Sequence, residues 1–206
     1  MLTRRTLLQL TGAASMLALL GPALAAPALA QSAQQATAFV KSTGDALVAV
    51  VNGSGSPSDK RHQLQQVIDS TVDVDEIARF CLGRFWRQAT PDQQRQYIGL
   101  FHEVLLNNIA AKLGEYQGVR FVMGRAQERE DTDVVNTTVE RPNNPPTQVD
   151  WIVSTATGQP KIIDVVAEGT SLRLTQRSDY ASYLSRNGNN VKALIDAMQK
   201  QAAQSG

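Results

Sequence analysis

Few side chains in this 206-residue chain belong to the types that carry out chemistry. Its two histidines, His62 and His102, are the candidates for a general base or a histidine metal ligand. Both fall in predicted helices, His102 one position away from an apolar stripe and His62 among polar neighbours. A general base needs a partner that geometry places beside it, and sequence spacing supplies none here. We therefore interpret both as solvated helix residues.

Acidic residues form two groups of interest. Asp73, Asp75 and Glu76 could form a metal site, but their place at the start of a predicted helix indicates acids that complement the helix dipole. Asp164 and Glu168 lie four residues apart in a predicted strand and therefore share one face of it. An acid among so many branched apolar residues must point to solvent or find a partner. The spacing alone does not make either group catalytic.

The single cysteine, Cys81, lies between Phe80 and Leu82. One cysteine excludes an intramolecular disulfide, and free cysteine is among the most buried residue types, so the sequence predicts a packing residue. The chain has no phosphate loop, no dinucleotide-binding glycine pattern, no zinc-ligand pair of cysteines and no Gly-x-Ser-x-Gly turn. We expect no enzyme activity, no metal and no cofactor.

The N-terminal sequence has the features of an export signal. Arg4 and Arg5 precede an apolar run from Leu7 to Leu20, and small residues follow. Polar residues interrupt the run, whereas a membrane anchor needs about 20 continuous apolar residues, so cleavage is favoured over anchoring. The paired arginines also fit a twin-arginine signal, and the sequence leaves both export routes open.

Cleavage is expected after Ala28-Leu29-Ala30, which offers small residues at the two positions that signal peptidase recognises. The mature protein would begin at Gln31 and reside in the periplasm, with Ala23-Leu24-Ala25 as the competing site. Residues 1–30 are then a signal peptide, and residues 31–206 form a single domain with its own core. The signal takes two of the 20 basic residues and none of the 19 acidic ones, so the mature net charge is −1. That charge argues against bulk nucleic-acid binding.

Helices are predicted from apolar periodicity and capping residues. Apolar residues at helical spacing predict three helices: one at residues 39–51, a second that carries Leu64, Val67 and Ile68, and a third at residues 73–83. Thr90, Pro91 and Gln93 are typical of a capped helix start. The apolar stripe that follows reaches Tyr116, which makes a helix of about seven turns at ~3.6 residues each. Something apolar must cover that stripe.

Strands are predicted in the second half of the chain. Runs of β-branched and aromatic residues separated by turn residues predict four strands, at residues 119–123, 134–139, 149–155 and 162–174. Short connections imply an antiparallel meander, and Gly169 suggests a bulge or bend within the last strand. Two helices close the chain, one around Tyr180 to Leu184 and the other around Val191 to Met198.

Four parts of the sequence resemble the MlaC family of periplasmic phospholipid-transport proteins, also described as toluene-tolerance components. They are residues 74–79 with 82–87, residues 89–93 with Phe101, residues 116–118, and residues 164–172 with Arg177. The most specific segments are Leu82-Gly83-Arg84-Phe85-Trp86 and Ala167-Glu168-Gly169-Thr170-Ser171. The likeness extends over most of the mature domain.

The resemblance implies an α+β fold in which helices pack on a twisted four-stranded antiparallel sheet and enclose an apolar lipid cavity. It also implies a soluble periplasmic carrier that binds phospholipid acyl chains. Its partners would be an inner-membrane ABC transporter with an MCE-domain subunit and an outer-membrane lipoprotein complex. A related branch is associated with hopanoids, and the sequence does not separate the two branches.

We expect the lipid cavity between the long helix and the sheet. The predicted lining residues are Phe101, Leu105, Ile109, Leu113, Phe121, Val135, Val139, Trp151, Val153, Ile163 and Val165. Periodicity alone would assign all of them to a filled core, which leaves an adaptor without a ligand as one alternative. The other alternative is an enzyme on a similar scaffold, with Asp164 or His102 as its acid or base.

Overall fold

The computed structural model describes residues 25–129 and 131–204. Within them the helices are α1 (Ala25–Asn52), α2 (Pro57–Thr71), α3 (Val74–Leu82), α4 (Pro91–Ala110), α5 (Leu172–Arg186) and α6 (Val191–Gln204). The strands are β1 (Arg120–Arg129), β2 (Thr132–Glu140), β3 (Thr147–Ser154), β4 (Lys161–Ala167) and β5 (Thr170–Ser171). The α+β class is confirmed. The predicted signal from Arg4 to Leu20 lies outside the described residues.

Helix starts follow the capping residues predicted from the sequence. The Thr90 hydroxyl accepts a hydrogen bond from Gln93 N, and the Gln93 side chain accepts one from Thr90 N, so the capping box is confirmed. The Asp73 carboxylate likewise accepts from Glu76 N at 2.9 Å. These two starts depend on hydrogen bonds between residues three apart, which is why the sequence alone predicts them well.

The long helix is shorter than predicted. Helix α4 ends at Ala110, and a separate 3-10 helix spans Leu113–Tyr116. Lys112 N donates a hydrogen bond to Ile109 O at 3.0 Å. This bond spans three residues, as in a 3-10 helix, whereas an α-helical bond spans four. The stripe of about seven turns is therefore divided between two elements, with Leu113 and Tyr116 in the second.

The five strands pair in sequence order as an antiparallel sheet. The fourth predicted strand ends earlier than expected, because Glu168 (φ 50°) and Gly169 (φ 80°) both adopt left-handed conformations. Two such residues in succession make a tight hairpin turn. Gly169 therefore closes a hairpin into the short β5, where a bulge or bend inside one strand was expected. Residues from Leu172 onward are helical, so the predicted extension of the strand to Leu174 is wrong.

Two clusters of buried apolar residues make up the core of the described residues. The helical cluster consists of Val50, Leu64, Ile68, Val74, Ala78, Cys81, Leu82, Phe85, Ala89, Tyr97, Phe101, Val104, Leu106, Leu184, Val191, Leu194, Ile195, Met198 and Ala202. The sheet cluster consists of Ala36, Val40, Val51, Val119, Val135, Val139, Val149, Trp151, Val153 and Ile162. Half-buried Leu47, Val72 and Leu113 pack against both clusters.

The helices are attached to the sheet beside β4. Val72, between α2 and α3, forms an isolated parallel bridge with Ile162, and Asp73 N donates to Ile162 O at 3.0 Å. Helices α3 and α5 contact β4, whereas α1 contacts β1 and β2. None of the described helices combines the length and apolarity that a membrane span requires.

Candidate functional site

The inner face of the sheet is largely apolar, and two of its polar side chains, Thr137 and Trp151, are hydrogen-bonded. Along β2, Val135 and Val139 alternate with more exposed residues and point to the same side as Trp151 of β3. The Trp151 indole N–H donates to Thr137 Oγ1 at 2.9 Å, and the Thr137 hydroxyl donates to Val149 O at 3.3 Å. This part of the surface can therefore contact hydrocarbon without leaving these groups unpaired.

Helix α1 covers this inner face. Ala36, Val40 and Val51 are buried in the sheet cluster, and small residues let the helix come close to β1. A Cβ atom at Gly44 would lie 3.4 Å from Phe121 Cγ, at van der Waals contact, so α1 packs closely on this ring. The Phe121 ring contacts Trp151 with centroids 6.0 Å apart. The helix and the two rings together cover the part of this face that β1 and β2 form.

Apolar residues around the sheet cluster are only partly buried. Five of them surround the contact between α1 and β1 or the facing part of β4: Phe39, Val48, Phe121, Met123 and Val165. Removing apolar surface from water stabilises a protein by about 25 cal/mol for each Å², and these residues leave part of that stabilisation unrealised. A ligand with hydrocarbon chains would cover that area. We take the seam between α1 and the inner face as the candidate site.

The structure brings most of the predicted sheet residues together. The sheet cluster and its partly buried neighbours include Phe121, Val135, Val139, Trp151, Val153 and Val165. Ile163 is buried outside both clusters, because the register shifts between Ile152 and Val153 and pairs Val153 with Ile162. Ile162 therefore occupies the inner position, and this irregularity in pairing has no signal in the alternation of β4.

Most of the predicted residues of the long helix lie elsewhere. Phe101 is in the helical cluster, with its ring 6.0 Å from Tyr97 and 6.3 Å from Tyr180. Leu105 packs on that same cluster, and Ile109 is 36% exposed. Leu113 alone of the four contacts both clusters. The stripe of α4 is covered by neighbouring helices, since α4 packs on α6, α3 and α2.

The residues of α1 in the sheet cluster were missed by sequence reasoning. Their periodicity correctly predicted a helix, and the structure extends it back to Ala25. Nothing in the spacing says which surface that helix covers. The one available signal was the small residues Ala36 and Gly44 on the apolar side, which are typical of a helix that approaches another element closely.

Asp164 is buried on the other side of β4 and has the partner that the sequence required. Its carboxylate accepts hydrogen bonds from Ser171 Oγ at 2.5 Å and Arg173 N at 3.1 Å, and Arg173 Nε lies 3.5 Å away. The Arg173 guanidinium also stacks on the Phe80 ring, 4.4 Å from its centroid. These contacts tie the hairpin and α5 to α3.

Three other polar candidates, His102, Glu76 and Cys81, do not belong to the sheet cluster. His102 Nε2 is 2.8 Å from Asp69 Oδ1 on the surface between α4 and α2. Burial, and next the nearby Asp73, raises the pKa of Glu76. Burial also raises the pKa of the Cys81 thiol to about 12. The described residues contain no group of three or more potential ligands that could hold a metal ion.

Two open grooves lie outside the candidate site. One, of about 490 Å³, is on the outer face of the sheet and is lined by Gly124, Arg125, Gln127, Arg129, Val134, Asn136 and Asp150. The other, of about 470 Å³, is between α5 and α6 and is lined by Asp179, Tyr180, Ser182, Tyr183, Arg186, Leu194, Ala197, Met198 and Gln201. Neither contains a predicted lining residue, and each is rich in polar side chains.

Comparison with known proteins gives concordant matches. A family model described as MlaC protein matches residues 32–200. The toluene tolerance protein ttg2D of Pseudomonas putida is 26% identical over 149 residues, covering 68% of this chain and 69% of that protein. The solved structure of the phospholipid-binding protein from Ralstonia solanacearum, in complex with a phospholipid, is 27% identical with a TM-score of 0.71. That match covers 82% of this chain and 98% of the other.

Proposed function

Since the chain belongs to the MlaC family, we propose that it is a binding protein that carries phospholipid and has no catalytic role. The observation that carries the proposal is the phospholipid complex of the Ralstonia solanacearum protein, because nearly all of that fold is matched here. We further propose that the protein works in the periplasm. There it would exchange lipid with an inner-membrane ABC transporter carrying an MCE-domain subunit and with an outer-membrane lipoprotein complex.

A carrier of this kind requires an apolar site and no reacting groups. A phospholipid with about 30 buried methylenes, at about 0.8 kcal/mol each, strongly resists entering water. Moving the same chains from a bilayer into a dry protein site is nearly neutral, because both surroundings are apolar. The partners would then set the direction of transfer, with ATP hydrolysis in the cytoplasm as the source of energy.

We place the acyl chains in the seam between α1 and the inner face of the sheet. Phe121, Trp151 and Val165 would contact them, and Leu113 would lie where the seam meets the helical cluster. In the described structure α1 lies against β1, so the proposal requires that α1 separate from that strand to admit the chains. The requirement gives the proposal a direct test.

Gly44 and Phe121 are suitably placed for a disulfide that locks α1 to β1. A Cβ atom at Gly44 would lie 3.7 Å from Phe121 Cβ, within the range of about 3.5–4.5 Å that disulfides need. We propose the variant Gly44→Cys/Phe121→Cys with Cys81→Ala, so that no third thiol competes. The oxidised form should bind at least tenfold less phospholipid than its reduced form, as measured by mass spectrometry after exposure to lipid vesicles.

The reduced form is the matched control, because it carries the same three substitutions. The two single-cysteine variants control for the lost ring and the added side chain. Equal phospholipid uptake by oxidised and reduced protein would place the site elsewhere, even if the protein binds lipid.

The hopanoid branch remains the alternative ligand class. Both ligands are apolar, and the inner face has no feature that selects between them. Lipids extracted from the protein after expression in a hopanoid-producing host would separate the two, because phospholipid carries phosphorus and a hopanoid core does not.

The geometry gives no support to the enzyme alternative. Asp164 is held by Ser171 and Arg173 on the α5 side of β4, and His102 pairs with Asp69 on the surface of the helices. Neither side chain belongs to the sheet cluster. An acid or base in the proposed lipid site would therefore have to come from a residue outside these two candidates.

A further inference from the structure

Asp133 is a buried carboxylate that is only half satisfied. It lies on β2 on the same side as Val135 and is 3% exposed. Its Oδ2 accepts a hydrogen bond from the Ser32 hydroxyl of α1 at 2.6 Å. Its Oδ1 is buried and has no hydrogen-bond partner among the described residues.

A buried carboxylate in this state is costly unless a positive group reaches it. Asp164, the other buried aspartate, has three donors and a guanidinium. Asp133, by contrast, takes part in none of the ion pairs found among the described residues. Its cross-strand neighbours are Glu128 and Val153, an acid and an apolar residue. Within residues 25–129 and 131–204, no cationic side chain therefore neutralises this carboxylate.

We propose that Asp133 binds the α-amino group that signal cleavage creates at Gln31. The inference rests on the proposed export and on cleavage after Ala30. Hydrolysis of the Ala30–Gln31 bond leaves a carboxylate on Ala30 and an amine on Gln31, which takes up a proton near neutral pH because its pKa is about 7.7–8.0. Gln31 directly precedes Ser32, whose hydroxyl already touches Asp133. The new ammonium group therefore forms on the residue next to the one that already donates a hydrogen bond to this carboxylate.

The ion pair would link processing to the lipid site. Before cleavage, α1 continues back to Ala25, and the amide nitrogen of Gln31 carries no charge. After cleavage, the residues before Gln31 are gone and the charged end of α1 is fixed to β2. The same helix covers the inner face of the sheet. In the processed chain alone, an ion pair at the N-terminus of α1 would hold the helix on that face.

A double-mutant cycle tests the pair. Four proteins are compared: chains that begin at residue 31 or at Ala26, each with Asp133 or with Asp133→Asn. All four carry Gln31→Ser, because an N-terminal glutamine can cyclise onto its amine and lose ammonia. In the chains that begin at residue 31, Asp133→Asn should lower Tm by at least about 3 °C. In the chains that begin at Ala26, the same substitution should change Tm by less than about a third of the loss expected in the chains that begin at residue 31.

Cyclisation itself gives a second readout that packing alone would not change. The reaction needs an unprotonated amine, which attacks the side-chain amide carbon of Gln31 and releases ammonia. An ammonium held by Asp133 is protected, so the chain that begins at the native Gln31 should keep its amine, and Asp133→Asn should cyclise several-fold faster by mass spectrometry.

Three results would overturn the proposal. They are equal Tm losses in the two chain lengths, equal cyclisation rates with and without Asp133, and an exported protein that begins at a residue other than Gln31. None of them bears on phospholipid binding, which is measured separately by the lipid content of the protein.

Discussion

The helical cluster and the sheet cluster are both apolar, yet they are closed to different degrees. In the helical cluster of the described residues, fully buried residues outnumber their partly buried neighbours. In the sheet cluster the partly buried neighbours are the larger group. Tyr97, for example, is 0% exposed and donates its hydroxyl to Ala78 O at 2.9 Å, whereas Phe121 is half-buried under α1.

From this difference we infer that the two clusters have different roles within one domain, one in stability and the other in binding. The residues of the helical cluster bury one another almost completely, so we expect this cluster to supply stability. The sheet cluster leaves apolar area that a ligand can cover, so we expect it to supply binding. Substitutions in the two clusters should therefore affect different measurements.

The largest expected effect is on the free energy of unfolding in the helical cluster. Phe101→Ala removes a ring packed between Tyr97 and Tyr180 and should cost about 3–5 kcal/mol. Phe121→Ala, at a half-buried ring of the sheet cluster, should cost only about 1 kcal/mol and should lower phospholipid content. Denaturant unfolding of lipid-free protein measures both. Similar losses for the two variants would remove the distinction between the clusters.

Substitutions that add side-chain volume should also affect the two clusters differently. Ala78→Leu overpacks a site with 0% exposure and should destabilise the lipid-free protein by about 1–3 kcal/mol without changing its lipid content when folded. Val165→Trp should fold normally and displace acyl chains. Lipid-free protein is the right reference, since a bound ligand raises apparent stability. If Val165→Trp unfolds the protein and Ala78→Leu does not, the clusters have been assigned the wrong way round.

The smallest expected effect concerns Cys81, at the edge of the helical cluster. Its thiol donates to Arg173 O at 3.5 Å, and burial raises its pKa to about 12. Cys81→Ala should cost about 1 kcal/mol and leave lipid binding unchanged. In the native protein at pH 8 the thiol is protonated and covered, so a bulky thiol reagent should label it only on unfolding. Rapid labelling of folded protein would show that this part of the cluster is open.

Features set by neighbouring residues were predicted well from the sequence. The caps at Thr90 and Asp73, the end of α1 at Asn52 and the antiparallel order of the main strands depend on local hydrogen bonds, periodicity and short connections. Features that depend on contacts between distant residues could not be predicted from the sequence. Periodicity could not show that α1 covers the sheet, that Phe101 belongs to the helical cluster, or that the shift in pairing puts Ile162 on the inner face.

The end of the fourth strand shows the same limit at a smaller scale. Gly169 was identified as a break in the pattern, but the turn there also requires a left-handed Glu168. A non-glycine residue rarely adopts that conformation, so the sequence favoured a continued strand. The hydrogen bond from Ser171 to Asp164 and the α-helix that starts at Leu172 stabilise the turn instead.

The central claim is that this protein holds a phospholipid, and the most direct measurement is of what it carries. The protein should be purified from its native host without detergent and extracted with organic solvent. The extract should then be quantified by mass spectrometry against protein concentration. We predict phospholipid in near one-to-one amount. Protein that is folded, monodisperse and free of phospholipid, and that stays so after incubation with phospholipid vesicles, would contradict the account.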